Sequence, residues 1–221
     1  MTKVTRGAAP FVMKEYRTIA GTGEAYYEIQ KSKFYTYTAH VEDEAAAREF
    51  VQGIKKKHFD ARHNCSAWVL GPDSSLQKSN DDGEPGGTAG NPILEAIKQQ
   101  GLTNTVVVVT RYFGGIKLGA GGLIRAYNHS AAIGLEASSK VELKLFRRIR
   151  ATVDYPMLAT IENWIRNQGL RTGETEYTDK VTVNILTAAA DTDDTARELT
   201  NLTAARCQLE IGDEEYIEVP I

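Results

Sequence analysis

The sequence predicts an α+β chain of two domains, on three observations. Beyond residue 140 the apolar pattern runs strand, helix, two strands, helix, strand, the β-α-β-β-α-β order of a ferredoxin-like unit. Charge divides at the same place. Residues 1–139 carry 16 Lys or Arg against 14 Asp or Glu, a balance of +2, whereas residues 140–221 carry 10 against 15, a balance of −5. Glycine is equally uneven, with ten of the nineteen falling between Asn80 and Ala126. The expected organisation is a flexible arm over residues 1–12, which show no periodicity, a first domain over 13–139 and a ferredoxin-like domain over 140–221. The boundary, Ser138 to Lys140, has no Pro- or Gly-rich linker, which predicts domains that abut.

In the first half, aromatic and β-branched residues predict strands from Ala25 to Ile29 and from Phe34 to Val41, with Gln30 to Lys33 as a four-residue hairpin loop. Glu42, Asp43 and Glu44 open a helix whose apolar stripe is Ala47, Phe50, Val51 and Ile54. Lys55, Lys56 and Lys57 close it, so both ends suit the helix dipole. Gly53 loosens its last turn by up to ~1 kcal/mol. Cys65 to Leu70, stopped by Gly71-Pro72-Asp73, reads as a strand with Leu76 to Ser79 as its partner. Asp81 to Gly90 holds too much Gly and Pro for a regular element. A helix follows with Asn91 as N-cap, Pro92 at its first position and Gly101 as its stop. Val106 to Val109, four β-branched residues in succession, read as a strand buried on both faces. A glycine loop then leads into a helix from about Gly121 to Ala137.

In the second half, Val141 to Val153 is a strand carrying Arg147, Arg148 and Arg150. Pro156 opens a helix with Leu158, Ile161, Trp164 and Ile165 at helical spacing, and Gly169 ends it. Two strands joined near Thr178 to Lys180 follow, the second alternating Val181, Val183 and Ile185 with polar residues. Asp191 to Asp194 start a helix that ends near Leu202. A hairpin closes the chain, with Cys207, Leu209 and Ile211 before Gly212-Asp213 and Tyr216 to Val219 after it.

Composition narrows the function classes. At 42% hydrophobic and 25% charged residues the chain is an ordinary globular protein. No apolar run approaches the roughly 20 residues of a membrane span, and the polar start lacks a secretory apolar core. Cys65 and Cys207 lie far apart, without a CxxC pair, which points to free thiols in a reducing cytoplasm. A net charge of −3 disfavours a strongly basic nucleic-acid binder but leaves room for a local patch on the first half.

The glycines mark the candidate site. Each costs roughly 0.4–1 kcal/mol against alanine unless its backbone is needed, and ten together rival a net stability of about 5–15 kcal/mol. Positive φ or close approach by another group is therefore expected. Gly114, Gly115, Gly119, Gly121 and Gly122 lie between the valine strand and a helix, where backbone N–H groups can meet an anion at the positive helix end. Arg111, Lys117 and Arg125 would add charge to the same site, and Tyr112 with Phe113 would either stack on a base or belong to the core. The loop is neither a Walker A nor a GxGxxG motif, and tight helix–strand packing explains the glycines equally. Asp81, Asp82 and Glu84 either hold Mg²⁺ beside a phosphate or pair with Arg111 or Arg125 and organise the loops. His63 and Cys65 share a strand face, but metal sites need three or four ligands, and a cysteine in an apolar strand is ordinarily core. His129 follows Arg125 by one turn and faces either the same cleft or solvent. Lys55, Lys56, Lys57 and Arg62 form a secondary basic patch, either contacting phosphates or solvating a helix end.

At these residues the chain resembles the IMPACT (YigZ-like) family. The matching pieces are SKF at Ser32 to Phe34, KKKHFDARHNCSAWVLG at Lys55 to Gly71, DDGEPGGTAGNPIL at Asp81 to Leu94 and VVVVTRYFGGIKLGAGGLIRAY at Val106 to Tyr127. The resemblance implies a first domain like the second domain of a small-subunit ribosomal protein, with a left-handed βαβ crossover. It implies a second domain like the fifth domain of elongation factor G. It further implies a cytoplasmic, non-enzymatic protein associated with translation, its partner an RNA, the ribosome or a translation-control protein, with no catalytic residue, cofactor or metal. Two other readings stay open: a nucleotide- or phosphate-binding enzyme using the glycine loop, and a pure protein-interaction module.

Overall fold

The computed structural model describes residues 13–221; the expected arm at residues 1–12 lies outside them. The chain forms two compact units, one reaching to Leu143 and including Glu218–Ile221, the other Lys144–Ile217. No helix of the described residues is long and apolar enough to cross a membrane.

The first unit runs β1 (Tyr16–Ala20), β2 (Thr22–Ile29), β3 (Ser32–His40), α1 (Glu44–Lys57), β4 (His63–Leu70), β5 (Leu76–Asn80), α2 (Gly90–Gln99), β6 (Thr105–Tyr112) and α3 (Gly119–Glu136), then enters β7 (Ser139–Val153). Five strands form one antiparallel sheet in the order β2-β3-β6-β4-β5. The valine strand lies at its centre. Val107 and Val109 join Phe34, Cys65, Ala67 and Val69 in a core against α2 and α3. Val106 and Val108 join Tyr37, Ala39, Trp68 and Leu70 in a second core against α1. Apolar packing on both faces is why β6 shows no polar alternation.

Three local readings are corrected. The β2–β3 loop has two residues, not four, because the ladder continues to the Ile29–Ser32 pair. Gln30 and Lys31 take φ of 48° and 63°, the left-handed pair that a tight hairpin turn requires. Neither is Gly or Asn, so the usual signal is missing. Asn91 does not cap α2, which begins one residue earlier. Asp81 instead accepts from the backbone N–H groups of Gly87, Ala89 and Gly90 at 2.8, 3.0 and 2.8 Å, while Asn91 accepts from Ser79 Oγ. Strand β1 has no sequence counterpart in the predicted elements; it pairs with Ser139 to Leu143 of β7. α1 follows the sequence signals closely, with Asp43 accepting from Ala46 N at 2.8 Å as its N-cap.

Five of the ten clustered glycines, among them Gly115 and Gly119, take positive φ. Gly114 is needed for space, because a Cβ there would lie 2.0 Å from the Lys31 carbonyl carbon. Most of the cluster thus has the backbone causes expected of it, whereas Gly86 and Gly121 show neither positive φ nor a tight approach.

In the second unit, residues 146–153 of β7 lead through a short 3₁₀ turn at Tyr155–Met157 into α4 (Leu158–Gln168), ended by Gly169 at φ 65°. Then come β8 (Arg171–Thr172), β9 (Glu176–Tyr177), β10 (Val181–Ala188), α5 (Thr192–Leu202) and β11 (Gln208–Pro220). β10 pairs with β7 on one side and with β8 and β9 on the other, and β11 also pairs with β7. Ile149, Ala151, Val153, Val181, Val183 and Ile185 bury against Ile161, Ile165 and Leu199 of the two helices. This is the ferredoxin-like order, with two departures. The second strand of the unit, at the sheet edge beside β10, is broken into β8 and β9 around Gly173, and the closing hairpin is a single 13-residue strand. Gly212 is not among the positive-φ residues. It lies within β11, where a Cβ would meet Arg148 O only at the ordinary contact distance of 3.5 Å.

Candidate functional site

The three loop carboxylates do not converge; each has its own structural partner. Asp81 anchors the start of α2 as described. Burial pushes its carboxyl up, but the N–H groups of Gly87, Gly90 and Ala89 outweigh that and hold it below the usual carboxylate range. Asp82 accepts from Lys55 Nζ at 2.6 Å and from Asn64 N of β4 at 2.7 Å. Glu84 is buried, and its Oε1 accepts from Arg111 Nη1 and from Tyr127 OH, both at 2.7 Å. The Asp82–Gly83–Glu84 turn is thereby fastened to α1, β4, β6 and α3 at once.

Arg111 is consumed in that fastening. Its side chain is only 7% exposed, its Nη2 donates to Ser32 Oγ at 3.4 Å, and the guanidinium lies against the Phe34 and Phe113 rings. Its Nε is buried without a partner. The three cations expected at one site therefore separate. Arg111 holds Glu84, Lys117 lines the same cavity as Arg111, and Arg125 lines a different one with Gly87, Asn91, Pro92 and Glu95. Residues 121 to 125 already belong to α3, whose turn carries Arg125 away from the strand end.

Three neighbouring cavities make a groove, and Phe113 lines all of them. The first, about 360 Å³, is walled by Arg62, His63, Glu84, Arg111, Lys117 and the first residues of α3, Gly119 and Ala120. The second, about 280 Å³, lies among Asp60, Arg62, His63, Arg111 and Tyr112. The third, about 540 Å³, is bounded by Lys31, Lys33, Tyr35, His58 and Tyr112. Phe113 is 54% exposed. Lys31, Lys33, Arg62 and Lys117 are all exposed, and none has a carboxylate within ion-pair distance among the described residues. The two acids at the groove are engaged, Glu84 as above and Asp60 by Tyr112 OH at 2.8 Å. The first turn of α3 has neither an acidic residue nor a side-chain cap.

A hydrogen-bonded chain runs behind the third cavity. Tyr37 OH lies 2.7 Å from His58 Nε2, and His58 Nδ1 lies 2.9 Å from Tyr112 OH. Because Tyr112 donates to Asp60, one proton arrangement satisfies every member: Tyr37 donates to Nε2, and Nδ1–H donates to Tyr112. Burial, then the Lys57 charge, lowers the His58 pKa and so favours this neutral imidazole. Burial and the Asp60 bond push the Tyr112 phenol up to about 12. Nothing in the sequence pairs His58 and Asp60, just after α1, with Tyr35 and Tyr37 on β3. Lys31 and Lys33 were hidden in the same way, as residues of an assumed loop.

The remaining candidates fall elsewhere. Gly114 and Gly115 shape the turn behind the cavities, and Gly121 and Gly122 lie within α3. The lysine patch is not a free cluster. Lys55 is paired with Asp82, and Lys57 sits 3.4 Å from Glu24 and over the Tyr37 ring, leaving Arg62 as its groove-facing member. Arg147, Arg148 and Arg150 pair with Glu214, Glu215 and Glu176. Cys65 is fully buried and donates to Asp81 O, and burial pushes its thiol far up, which is the opposite of an activated nucleophile. His129 packs edge-on against Tyr27 at 4.6 Å.

Family models match a segment within each of the two units. The Impact N-terminal domain family matches residues 30–135, and a domain of unknown function, DUF1949, matches residues 152–206. The chain is 43% identical over 207 residues to the IMPACT family member YvyE of Bacillus subtilis, covering 94% of this chain and 95% of that one. It is 51% identical over 102 residues to YigZ of Escherichia coli, covering 45% and 50%. It is 38% identical over 93 residues to the Saccharomyces cerevisiae protein IMPACT homolog, covering 40% and 35%. A crystal structure described as that of a hypothetical protein aligns with TM-score 0.58 at 32% identity, over 92% of this chain and all of that one.

Proposed function

This chain belongs to the IMPACT family, and on that premise we propose that its first domain is a non-enzymatic RNA-binding module acting with the translation machinery. One observation carries the reading: four cations without acidic partners, Lys31, Lys33, Arg62 and Lys117, line a groove that also presents a half-exposed phenylalanine. Phosphates along a single strand need spaced cations, and its bases need a flat apolar face to stack on. Phe113 supplies that face, with Tyr35 and Tyr112 beside it. A protein of net charge −3 cannot hold RNA by a diffuse field, so attraction has to be local. Engagement of Glu84 by Arg111 supports this, because it leaves Asp60, held by Tyr112 OH, as the one groove carboxylate without a cationic partner among the described residues.

Cosedimentation with ribosomes and binding of a short unstructured RNA at low salt test the reading. Binding weakened several-fold by Phe113→Ala, with the fold unchanged, is expected. Absence of binding even at low salt overturns it.

A further inference from the structure

The first cavity differs from the rest of the groove in its charge, and this difference points to what part of an RNA it takes. The reasoning rests on the RNA-binding reading above. Four features meet there. α3 is 18 residues long and begins at the cavity wall with Gly119 and Ala120, without a capping side chain or an acid in its first turn, so its N-terminal N–H groups and roughly half a positive charge are unspent. Lys117 and Arg62 add two exposed cations without ion-pair partners among the described residues. Arg111, more than nine-tenths buried, stands in the wall with its Nε enclosed and without a hydrogen-bond partner. Glu84, also in the lining, cancels the Arg111 charge through its 2.7 Å bond.

The lining of this cavity therefore leaves about two and a half positive charges uncancelled, with Asp60 outside it in the adjoining cavity that Arg62 also lines. A phosphodiester inside a strand carries one negative charge, whereas a phosphomonoester carries about −1.5 to −2 at neutral pH. The third cavity has Lys31 and Lys33 but no helix N-terminus, and suits diesters. We propose that the cavity at the start of α3 seats the terminal phosphomonoester of an RNA strand, whose next base reaches Phe113 and whose following phosphates run toward Lys33 and Lys31.

The test is calorimetric titration of the full chain with one eight-nucleotide RNA in three forms: 5′-phosphate, 3′-phosphate, and hydroxyl at both ends. At least one phosphorylated form is expected to bind about tenfold tighter than the hydroxyl form, and which one identifies the end that is read. Lys117→Gln and Arg62→Gln, both at exposed positions and checked for an unchanged melting temperature, are expected to shrink that advantage to within twofold. Equal affinity of all three forms overturns the inference and leaves the RNA-binding reading standing. An advantage that survives both substitutions also overturns it, because the monoester then sits elsewhere. No binding by any form at low salt defeats the RNA-binding reading, and the inference falls with it.

Discussion

The Glu84–Arg111 pair is expected to behave as a structural clamp and not as a ligand contact. Both side chains are more than nine-tenths buried, 2.7 Å apart, so removing one leaves the other as an uncompensated charge in the core. That costs about 3–5 kcal/mol. Glu84→Gln keeps an acceptor for Tyr127 OH but abolishes the charge; Arg111→Met keeps the stem's packing and abolishes the opposite charge. The double variant removes both charges together, so its loss should fall short of the sum by roughly 2–3 kcal/mol. Urea unfolding can report this for the first unit alone. Trp68 is buried in the core beneath α1, and Trp164→Phe silences the only other tryptophan. Additivity of the two single losses, with a coupling below about 0.5 kcal/mol, would refute the clamp.

Further predictions concern Asp81, His58 and Cys65. Asp81→Ala should destabilise by about 2 kcal/mol at pH 7, the upper end for a helix N-cap, because three N–H groups lose their acceptor. Its carboxyl is held low in the folded state, so that stabilisation is complete above the unfolded value of about 3.9 and is lost as pH falls through the folded one; urea melts should show a smaller deficit at pH 3 than at pH 7. His58 should titrate below about 6.5 by NMR. Since the unfolded chain takes that proton first, stability should fall as pH drops through 6.5, and a midpoint above 6.5 would contradict the neutral-imidazole chain. Thiol labelling followed by mass spectrometry should modify the partly exposed Cys207 in the native protein and reach Cys65 only on unfolding.

Local grammar was legible where one residue's chemistry decides a local structure. Asp43 caps α1, Gly169 ends α4, and the valine run lies between two cores, as their residue types require. Legibility failed where a distant group settled the matter. Asp81 reaches eight and nine residues forward to cap α2, so Asn91 never takes that role. Gly212 lies within β11 and makes no left-handed turn, a distinction that φ decides and sequence does not. At the site, the sequence left Arg111 between an anion and a carboxylate; burial beside Glu84 assigns it to the carboxylate. Arg125 was separated from Lys117 because its place on α3 turns it toward α2, where it lines a cavity with Asn91, Pro92 and Glu95. Lys31, Lys33 and Tyr35 entered the groove only through the β2–β3 register, which depends on left-handed conformations at Gln30 and Lys31 that those residue types do not announce.

RNA affinity as a function of salt tests the groove most directly. For a single strand, each neutralised phosphate contributes about −0.7 to the slope of log K against log salt, so engagement of Lys31, Lys33, Arg62 and Lys117 should give roughly −3. Replacing all four by Gln should flatten the slope to near zero, whereas Arg148→Gln, which breaks an exposed ion pair with Glu215, should leave it unchanged. A slope that persists in the fourfold variant, or RNA that fails to bind the native protein at low salt, would contradict a groove built to hold RNA.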